Sequence, residues 1–268
     1  MKIDRKMIVV TGAGSGIGRE LALLLLARGA KVAGADVNAA ALAETTALAE
    51  SSDFAEFVVD ITSRSAVESL PAKVIARFGA VDGIINNAGI IQPFLRLNDL
   101  DYATIERVLN VNLMGTLFAT KAFLPHLLER PEAHIVNLSS MGGFIAVPGQ
   151  TMYCAAKAAV KLMSQGLGSE LIGTPVRVTV VFPGAITTNI RENSGLTGLA
   201  AAKPLGSGMK PLSPRKAAEV IVAAIERDAH NVFVGRDASI MDKLSRLSPT
   251  LAIRTVANHM KHLLQARP

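Results

Sequence analysis

Two residues that can transfer a proton lie four positions apart in the second half of the chain. Tyr153 and Lys157 fall within Thr151 to Leu171, where the pattern predicts a helix, so their side chains share one face. A free tyrosine titrates near pH ~10, and a neighbouring ammonium lowers that pKa because it stabilises the phenolate. The pair therefore predicts a general acid and base acting on an alcohol or a ketone. The alternative is a tyrosine at the edge of the core beside a solvated lysine.

A hydroxyl and an amide accompany this pair. Ser140 ends a predicted strand 13 residues before Tyr153, and its hydroxyl can hold the oxygen of a substrate. Asn112 lies in a long predicted helix, where a buried amide is unfavourable unless it has partners. We interpret Asn112 as bonded to the backbone and holding a water in a proton path to Lys157.

A glycine-rich turn near the start of the chain has the pattern of a dinucleotide site. The run from Met7 to Gly18 predicts an apolar strand, a turn with glycines at alternate positions, and a helix. Glycine allows a ligand to approach the backbone, and the free N–H groups at a helix start suit a pyrophosphate. Without its context the same pattern is an ordinary connecting loop. The cofactor contacts predicted in this turn are Gly12, Ser15, Gly16, Ile17 and Gly18.

A carboxylate at the end of the second predicted strand indicates which dinucleotide binds. Asp36 lies 18 residues after Gly18, where a carboxylate can accept hydrogen bonds from both ribose hydroxyls of adenosine. It repels a 2′-phosphate, and neither Ser15 nor Val37 supplies a compensating positive charge. The sequence therefore predicts NAD rather than NADP. The alternative role for Asp36 is to cap the next helix.

Two further strand ends carry candidate cofactor residues. Asp60 can contact the adenine amino group with Ile61 as an apolar wall, or it can cap the next helix, for which Thr62 is also a candidate. Asn87-Ala88-Gly89 offers a small backbone surface to a flat ligand, or forms only a turn.

The elements that must position these residues alternate between strands and helices. This alternation predicts a single α/β domain over residues 1–268, with about seven parallel strands in a doubly wound sheet and helices on both faces. Ligands of such sheets lie beyond the carboxyl ends of the strands, where the polar residues described above fall. The predicted strands are Met7–Val10, Lys31–Ala35, Phe54–Val59, Val81–Ile85, His134–Leu138, Val176–Phe182 and Asn231–Val234.

The composition narrows the class of partner. The net charge of +6 is spread along the chain, aromatic residues make up 4%, and there is no Trp. These features favour a small anionic ligand over nucleic acid, which needs clustered charge and stacking side chains. A single cysteine, Cys154, and an N-terminus without a signal-peptide pattern predict a cytoplasmic protein. We expect no metal site, because His259 and His262 have no third ligand near them.

Together these motifs resemble the short-chain dehydrogenase/reductase family, whose fold is of the Rossmann type. The resemblance covers about Lys6 to Thr188. The matching residues, in that family's order and spacing, are Thr11-Gly12-x-x-x-Gly16-x-Gly18, Asp60, Asn86-Asn87-Ala88-Gly89, Asn112, Ser140, Tyr153-x-x-x-Lys157 and Pro183-Gly184-x-x-x-Thr188.

The resemblance implies particular roles for these residues. It implies a catalytic group of Asn112, Ser140, Tyr153 and Lys157, with Lys157 also bonded to the nicotinamide ribose. It implies cofactor contacts at Asp60, Ile61, Asn87, Ala88, Gly89, Pro183 and Gly184, at the Ile186 backbone for the carboxamide, and at Thr188 for the carboxamide or a phosphate. The spacing of Tyr153 and Lys157 resembles that of carbonyl and alcohol oxidoreductases rather than enoyl reductases. A homotetramer or dimer is also implied.

Two segments are expected to shape the substrate end. Residues 189–212 correspond to the substrate lid of the family, and Leu196, Leu199, Leu205 and Met209 there suggest an apolar pocket. Phe144, Ile145, Val147 and Met152 suggest the same, unless they are ordinary packing. The extension at 237–268 is predicted to be helical and amphipathic. It covers the pocket or packs on another subunit, with contact to a membrane surface the less favoured reading.

The sequence thus predicts an NAD-dependent oxidoreductase that interconverts a secondary alcohol and a ketone of lipophilic or medium size. The alternative is an NAD-binding scaffold or redox sensor without catalysis. Because Ser140, Tyr153 and Lys157 are all present, we favour the enzyme.

Overall fold

One parallel sheet organises the protein. The computed structural model describes residues 1–196 and 210–260. Seven parallel strands are arranged in the order β3-β2-β1-β4-β5-β6-β7, which confirms the predicted α/β class. The strand order reverses at β1, which pairs with both β2 and β4, and ligands of doubly wound sheets bind at such a reversal. The strands are β1 Met7–Thr11, β2 Lys31–Asp36, β3 Phe54–Val58, β4 Gly83–Asn86, β5 Ala133–Leu138, β6 Val176–Pro183 and β7 Asn231–Val234.

Helices cover both faces of the sheet. Side chains alternate along a strand, so Val10 of β1 faces α1 and α8 while Val9 faces α3 and α5. Both faces of β1 are buried, which explains its uninterrupted apolar run. The helices are α1 Gly16–Ala27, α2 Ala39–Ala49, α3 Arg64–Phe78, α4 Tyr102–Leu109, α5 Thr116–Leu128, α6 Thr151–Glu170, α7 Ile190–Asn193, α8 Pro214–Glu226, α9 Arg236–Leu247 and α10 Pro249–Met260.

The helix starts correct three predictions about capping. The cap of α2 is Asn38, whose side chain accepts a hydrogen bond from Ala41 N, so the capping role considered for Asp36 is wrong. The residue before α3 is Ser63, so neither Asp60 nor Thr62 caps that helix. Instead the Asp60 carboxylate accepts hydrogen bonds from the backbone and hydroxyl of Thr62, both at 2.8 Å.

The predicted extension forms two helices that pack on the rest of the chain. Helices α9 and α10 are separated at Ser248. Three side chains of α10 share a buried apolar cluster with Met141 and Ile145, next to Ser140 in sequence. Those side chains are Ala252, Val256 and Met260.

Parts of the predicted lid and tail lie outside the described residues. These are Leu199, Leu205 and Met209 of the lid, and the tail from residue 261 onward, including His262. Within the described ranges, no helix has the length and apolar character needed to span a bilayer.

Candidate active site

A cavity of about 520 Å³ lies at the carboxyl ends of the strands. It extends from the turn between β1 and α1, past the ends of β2 and β3, to the start of α6. Among the predicted catalytic and cofactor residues, only Gly18 and Asn112 are absent from its wall. The predicted pocket residues near the active site are absent too, and three of them pack in or against an apolar cluster with α10 instead: the absent residues are Phe144, Ile145, Val147 and Met152, and the packed ones are the first three. The predicted residues that line it are Gly12, Ser15, Gly16, Ile17, Asp36, Asp60, Ile61, Asn87, Ala88, Gly89, Ser140, Tyr153, Lys157, Pro183, Gly184, Ile186 and Thr188.

The glycine turn is shaped for close backbone packing. Gly12 and Gly16 have φ angles of 68° and 55°, which side chains rarely tolerate. A Cβ on Gly12 would lie 2.9 Å from Ala88 Cα, and one on Gly18 would collide with the Gly12 carbonyl. Gly18 therefore supports the turn from beneath, while Gly12 and Gly16 form the surface that faces the cavity.

Asn87 fastens the glycine turn to the end of β4. Its side-chain nitrogen donates to the carbonyl oxygens of Thr11 and Gly12 at 3.0 and 3.2 Å. In return, the Thr11 hydroxyl accepts hydrogen bonds from Asn87 N and Ala88 N. Asn87 thus holds together the two loops that flank the reversal of strand order.

The Asp36 carboxylate is fixed at the edge of the cavity. It accepts hydrogen bonds from Gly14 N at 2.9 Å and Asn38 N at 3.0 Å. In the part of the chain that the structure describes, no Lys or Arg forms an ion pair with it. The nearby Arg19 guanidinium instead pairs with Glu44 at 2.7 Å. The charge of Asp36 therefore remains available to the cavity.

Tyr153 and Lys157 meet at the other end of the cavity. Lys157 Nζ lies 5.9 Å from the centre of the Tyr153 ring and donates to Leu138 O at 2.9 Å. Burial lowers the pKa of Lys157 to about 8. Burial also raises the pKa of Tyr153 to about 12, against the opposing effect of the Ser140 hydroxyl. Desolvation is therefore the largest effect on the phenol, and the pKa of Tyr153 lies above its ordinary value in the protein alone.

The two serines after β5 have different partners. Ser139 Oγ donates to the Lys157 carbonyl at 2.7 Å and so ties β5 to α6. Ser140 Oγ accepts a hydrogen bond from Gly142 N at 3.0 Å, and it also interacts with the Tyr153 phenol. Ser140 is therefore the serine whose hydroxyl lies beside the predicted acid and base.

Asn112 lies behind the cavity wall in a π-helical turn, Asn110–Gly115. Its Nδ2 donates to the carbonyl oxygens of Ile90 and Val108, both at 2.9 Å, and its Oδ1 accepts from Ile90 N at 3.2 Å. These contacts confirm the predicted backbone bonds and explain how a helix interior tolerates a buried amide.

Gly89 makes room for this arrangement. A Cβ there would lie 2.8 Å from Asn112 Oδ1 and 3.3 Å from Lys157 Nζ. The amide and the ammonium therefore approach the cavity wall from the same side.

Several residues of the site carry no recognisable local signal in the sequence. Asp237, in the first turn of α9, accepts a hydrogen bond from Ala185 N at 2.7 Å and so holds the loop after β6. Asn193 of α7 donates to Ser15 Oγ at 2.8 Å. Ile90 and Ile190 add apolar surface to the cavity. These contacts join distant segments, so only the folded chain reveals them.

The described residues do not bring metal-ligating side chains together. Within residues 1–196 and 210–260, no group of three or more His, Cys, Asp or Glu side chains is placed to hold a metal ion.

Comparison with known proteins identifies the family. Residues 6–197 match the family model described as short chain dehydrogenase. SadH of Mycobacterium tuberculosis, named as an oxidoreductase, is 38% identical over 262 residues, which cover 95% of each chain. The protein belongs to the short-chain dehydrogenase/reductase family and is an oxidoreductase of that family.

Two solved structures have the same fold. A short chain dehydrogenase/reductase from Burkholderia phymatum in complex with NAD has a TM-score of 0.83 and 26% identity, covering 94% of this chain and 96% of its own. A short chain dehydrogenase from Burkholderia cenocepacia in complex with NADP has a TM-score of 0.80 and 27% identity, covering 96% of this chain and 99% of its own. Both neighbours thus bind a dinucleotide, and the bound dinucleotide differs between them.

Proposed function

We propose that the protein interconverts a secondary alcohol and a ketone with NAD as the hydride carrier. The observation that carries this proposal is one cavity with Tyr153, Ser140 and Lys157 at one end and Asp36 with the glycine turn at the other. The turn offers φ angles and close backbone packing suited to a pyrophosphate. When bound, the nicotinamide accepts or supplies the hydride at the substrate carbon.

The protein's own groups manage the proton and the substrate oxygen. Ser140 holds that oxygen, and in alcohol oxidation the Tyr153 phenolate accepts the hydroxyl proton while a carbonyl forms. Lys157 stabilises the phenolate, since an ammonium interacts more strongly with it in a buried setting than in water. Asn112 orders the adjacent loop and holds the water through which the proton reaches solvent. In ketone reduction each transfer runs in reverse.

The decisive experiment replaces Tyr153 with phenylalanine. We expect Tyr153→Phe to lower kcat by at least about 10²-fold, because general acid–base catalysis contributes roughly that much, while NAD binding is retained. Tyr102→Phe is the matched control, since Tyr102 is 82% exposed and outside the cavity. Turnover is measured as NADH absorbance with a panel of secondary alcohols, sterols and diols. Unchanged turnover in Tyr153→Phe would remove Tyr153 as the acid and base and favour a non-catalytic NAD-binding protein.

We propose NAD rather than NADP because Asp36 faces the cavity without a paired cation among the described residues. Asp36→Asn keeps the shape and one acceptor but removes the charge that repels a 2′-phosphate. We expect the ratio of kcat/KM for NAD over NADP to fall by at least about tenfold, the equivalent of ~1.4 kcal/mol. Asp53→Asn, at an exposed position before β3, is the control. An unaltered ratio in Asp36→Asn contradicts the assignment.

We propose a lipophilic or medium-sized substrate. Ile90, Ile91 and Ile190 line the cavity, and Phe144 packs at the edge of the apolar cluster that includes Met141. In an alcohol series of increasing chain length, kcat/KM is expected to rise by a few-fold per buried methylene, which contributes about 0.8 kcal/mol. A preference for short, polar diols would contradict this proposal.

Further features of the proposed function come from the family and the composition. We propose a homotetramer or dimer in the cytoplasm, with a small-molecule substrate and no nucleic-acid partner. The spread charge and the scarcity of aromatic residues support the lack of a nucleic-acid partner, the single cysteine supports the location, and the oligomer rests on the family resemblance alone.

A further inference from the structure

A buried glutamine outside the cavity contacts the helix turn that carries Tyr153. Gln92 is fully buried. Its Oε1 accepts hydrogen bonds from the backbone N–H groups of Met152 and Tyr153 at 2.9 and 3.0 Å. Its Nε2 donates to the Gly149 carbonyl at 3.0 Å. Both ends of the side chain are therefore bonded to the backbone around the start of α6.

These bonds replace a cap that α6 lacks. The residue before the helix, Gln150, makes no capping hydrogen bond with its side chain. The first N–H groups of a helix have no partner within it, and leaving them buried and unbonded is costly. Gln92 supplies the acceptor from about 60 residues earlier in the chain. Gln150 Nε2 in turn donates to the Gln92 carbonyl at 2.7 Å, so the two segments are joined in both directions.

The same short segment contacts other parts of the site. We name residues 90–92 the 90–92 segment. In it, the backbone N–H and the carbonyl oxygen of Ile90 both form hydrogen bonds with the Asn112 side chain. Ile91 N donates to Ser194 Oγ at 3.0 Å, next to α7. Asn112 and the backbone of Tyr153 are thus fixed to one stretch of backbone.

We propose that Gln92 is a positioning residue for Tyr153, fixing the first turn of α6 so that the phenol stays beside Ser140. This inference rests on the proposed function, in which Tyr153 transfers the proton. Proton transfer needs the two heavy atoms within about 2.6–3.2 Å, and a misplacement of about 1 Å can cost ~10²-fold in rate. Gln92 itself lies outside the cavity wall, and its side chain acts on Tyr153 through the first turn of α6 that it bonds.

Three variants separate the hydrogen bonds from the volume of the side chain. Gln92→Met keeps the length and removes every hydrogen-bonding group. Gln92→Glu keeps the acceptor for the two N–H groups, where a negative charge suits a helix start, and loses the donor to the Gly149 carbonyl. Gln165→Met makes the same change at an exposed position of α6 and is the control.

The kinetic result expected is a loss in kcat with little change in cofactor affinity. For Gln92→Met we expect kcat to fall by at least about tenfold, because Tyr153 loses its position, with KM for NAD changed by less than about twofold. Gln92→Glu is expected to retain more of kcat than Gln92→Met, because it keeps the acceptor for the two N–H groups, and Gln165→Met is expected to match the wild type. Wild-type kcat in Gln92→Met would overturn the proposal.

A second measurement needs no turnover. The chain has two tyrosines and no tryptophan, so a Tyr102→Phe background leaves Tyr153 as the only tyrosine chromophore. The Tyr153 phenol is titrated by absorbance immediately after a rapid pH jump, before the protein unfolds in alkali. Gln92→Met is expected to move the pKa of Tyr153 from about 12 down towards the ordinary value of 10, because a loosened turn admits water. Gln165→Met is expected to leave the titration unchanged.

The two measurements distinguish a failure of the role of Gln92 from a failure of the proposed function. If the wild type oxidises no alcohol in the panel, the proposed function fails, and the phenol titration alone decides whether Gln92 positions Tyr153. If Gln92→Met does not fold, Gln92→Asn replaces it, since its shorter amide cannot reach both N–H groups. Equal phenol titrations in Gln92→Asn and Gln92→Glu would then overturn the proposal.

Discussion

Burial shifts the pKa values of the two titratable side chains at the end of the cavity in opposite directions. It lowers the pKa of Lys157 and raises that of Tyr153, because in each case the neutral form is favoured away from water. The phenolate needed for alcohol oxidation is therefore costly for the protein alone. In the proposed reaction, a cationic nicotinamide ring and the Lys157 ammonium would both favour the phenolate, so we expect proton removal to be coupled to cofactor binding.

The Lys157 pKa predicts how stability depends on pH. The folded protein releases this proton near pH 8, whereas the unfolded chain holds it until about 10.5. Between these values the unfolded state binds more protons, so the free energy of unfolding rises with pH. Relative to Lys157→Met, the wild type should gain stability between pH 8 and pH 10. Urea denaturation at unit pH steps tests this, with Lys161→Met as the control. Parallel stability curves for wild type and Lys157→Met would contradict it.

At the level of elements, the site depends on backbone packing as much as on side chains. The glycine turn, the Asn87 loop and the start of α1 approach each other closely enough that a methyl group does not fit. The helix that carries Asn112 widens into a π turn, which lets the amide reach Ile90 and Val108 together. Such packing is local in space and distant in sequence.

Two glycine substitutions test this packing. Gly18→Ala places a Cβ against the Gly12 carbonyl and Asn87 Nδ2, and we expect it to destabilise the protein by about 1–3 kcal/mol, as overpacking does. Gly166→Ala is the matched control on α6, where a Cβ meets nothing within 4 Å. There we expect a gain of about 0.5–1 kcal/mol from better helix propensity. Chemical denaturation measures both, and equal effects at the two positions would contradict the role of close packing.

At the scale of the whole molecule, the C-terminal extension is part of the site's support. Asp237 of α9 holds the loop after β6, and α10 packs on the segment that follows Ser140. Helix α10 thus packs within its own chain, but no residue of α9 or α10 lines the cavity, so the covering of the pocket by the tail stays a prediction. The outward side of α10 keeps Leu251 and Ile253 about half exposed, at 53% and 52%. That side is available for the proposed contact with a second subunit.

Two substitutions on α10 separate these roles. Val256→Asp places a charge in the apolar cluster, and we expect a loss of stability of about 3 kcal/mol or more together with reduced turnover. Ile253→Asp changes only the outward side, so the fold and the melting temperature at low concentration should be retained. Analytical ultracentrifugation of Ile253→Asp then reports on assembly. Full stability in Val256→Asp would contradict the supporting role of α10.

The amino-acid sequence alone predicts the features that repeat along the chain or depend on adjacent residues. Alternation of apolar strands and helices predicted the seven-stranded sheet, with strand ends within two residues of those observed. The turn from Gly12 to Gly18 and the pair Tyr153 and Lys157 were recognisable because their geometry comes from adjacent residues.

Tertiary structure alone decided which groups meet across long separations. It shows that Gln92 caps α6, that Asp237 bonds the loop after β6, and that the Asp36 carboxylate accepts a hydrogen bond from Gly14 N. It also places the pKa of Tyr153 above its ordinary value, because desolvation depends on how the whole chain packs around the phenol. A hydrogen bond between residues 60 positions apart, and the removal of a side chain from water, leave no pattern in neighbouring residues. Both can therefore be seen only in the folded chain.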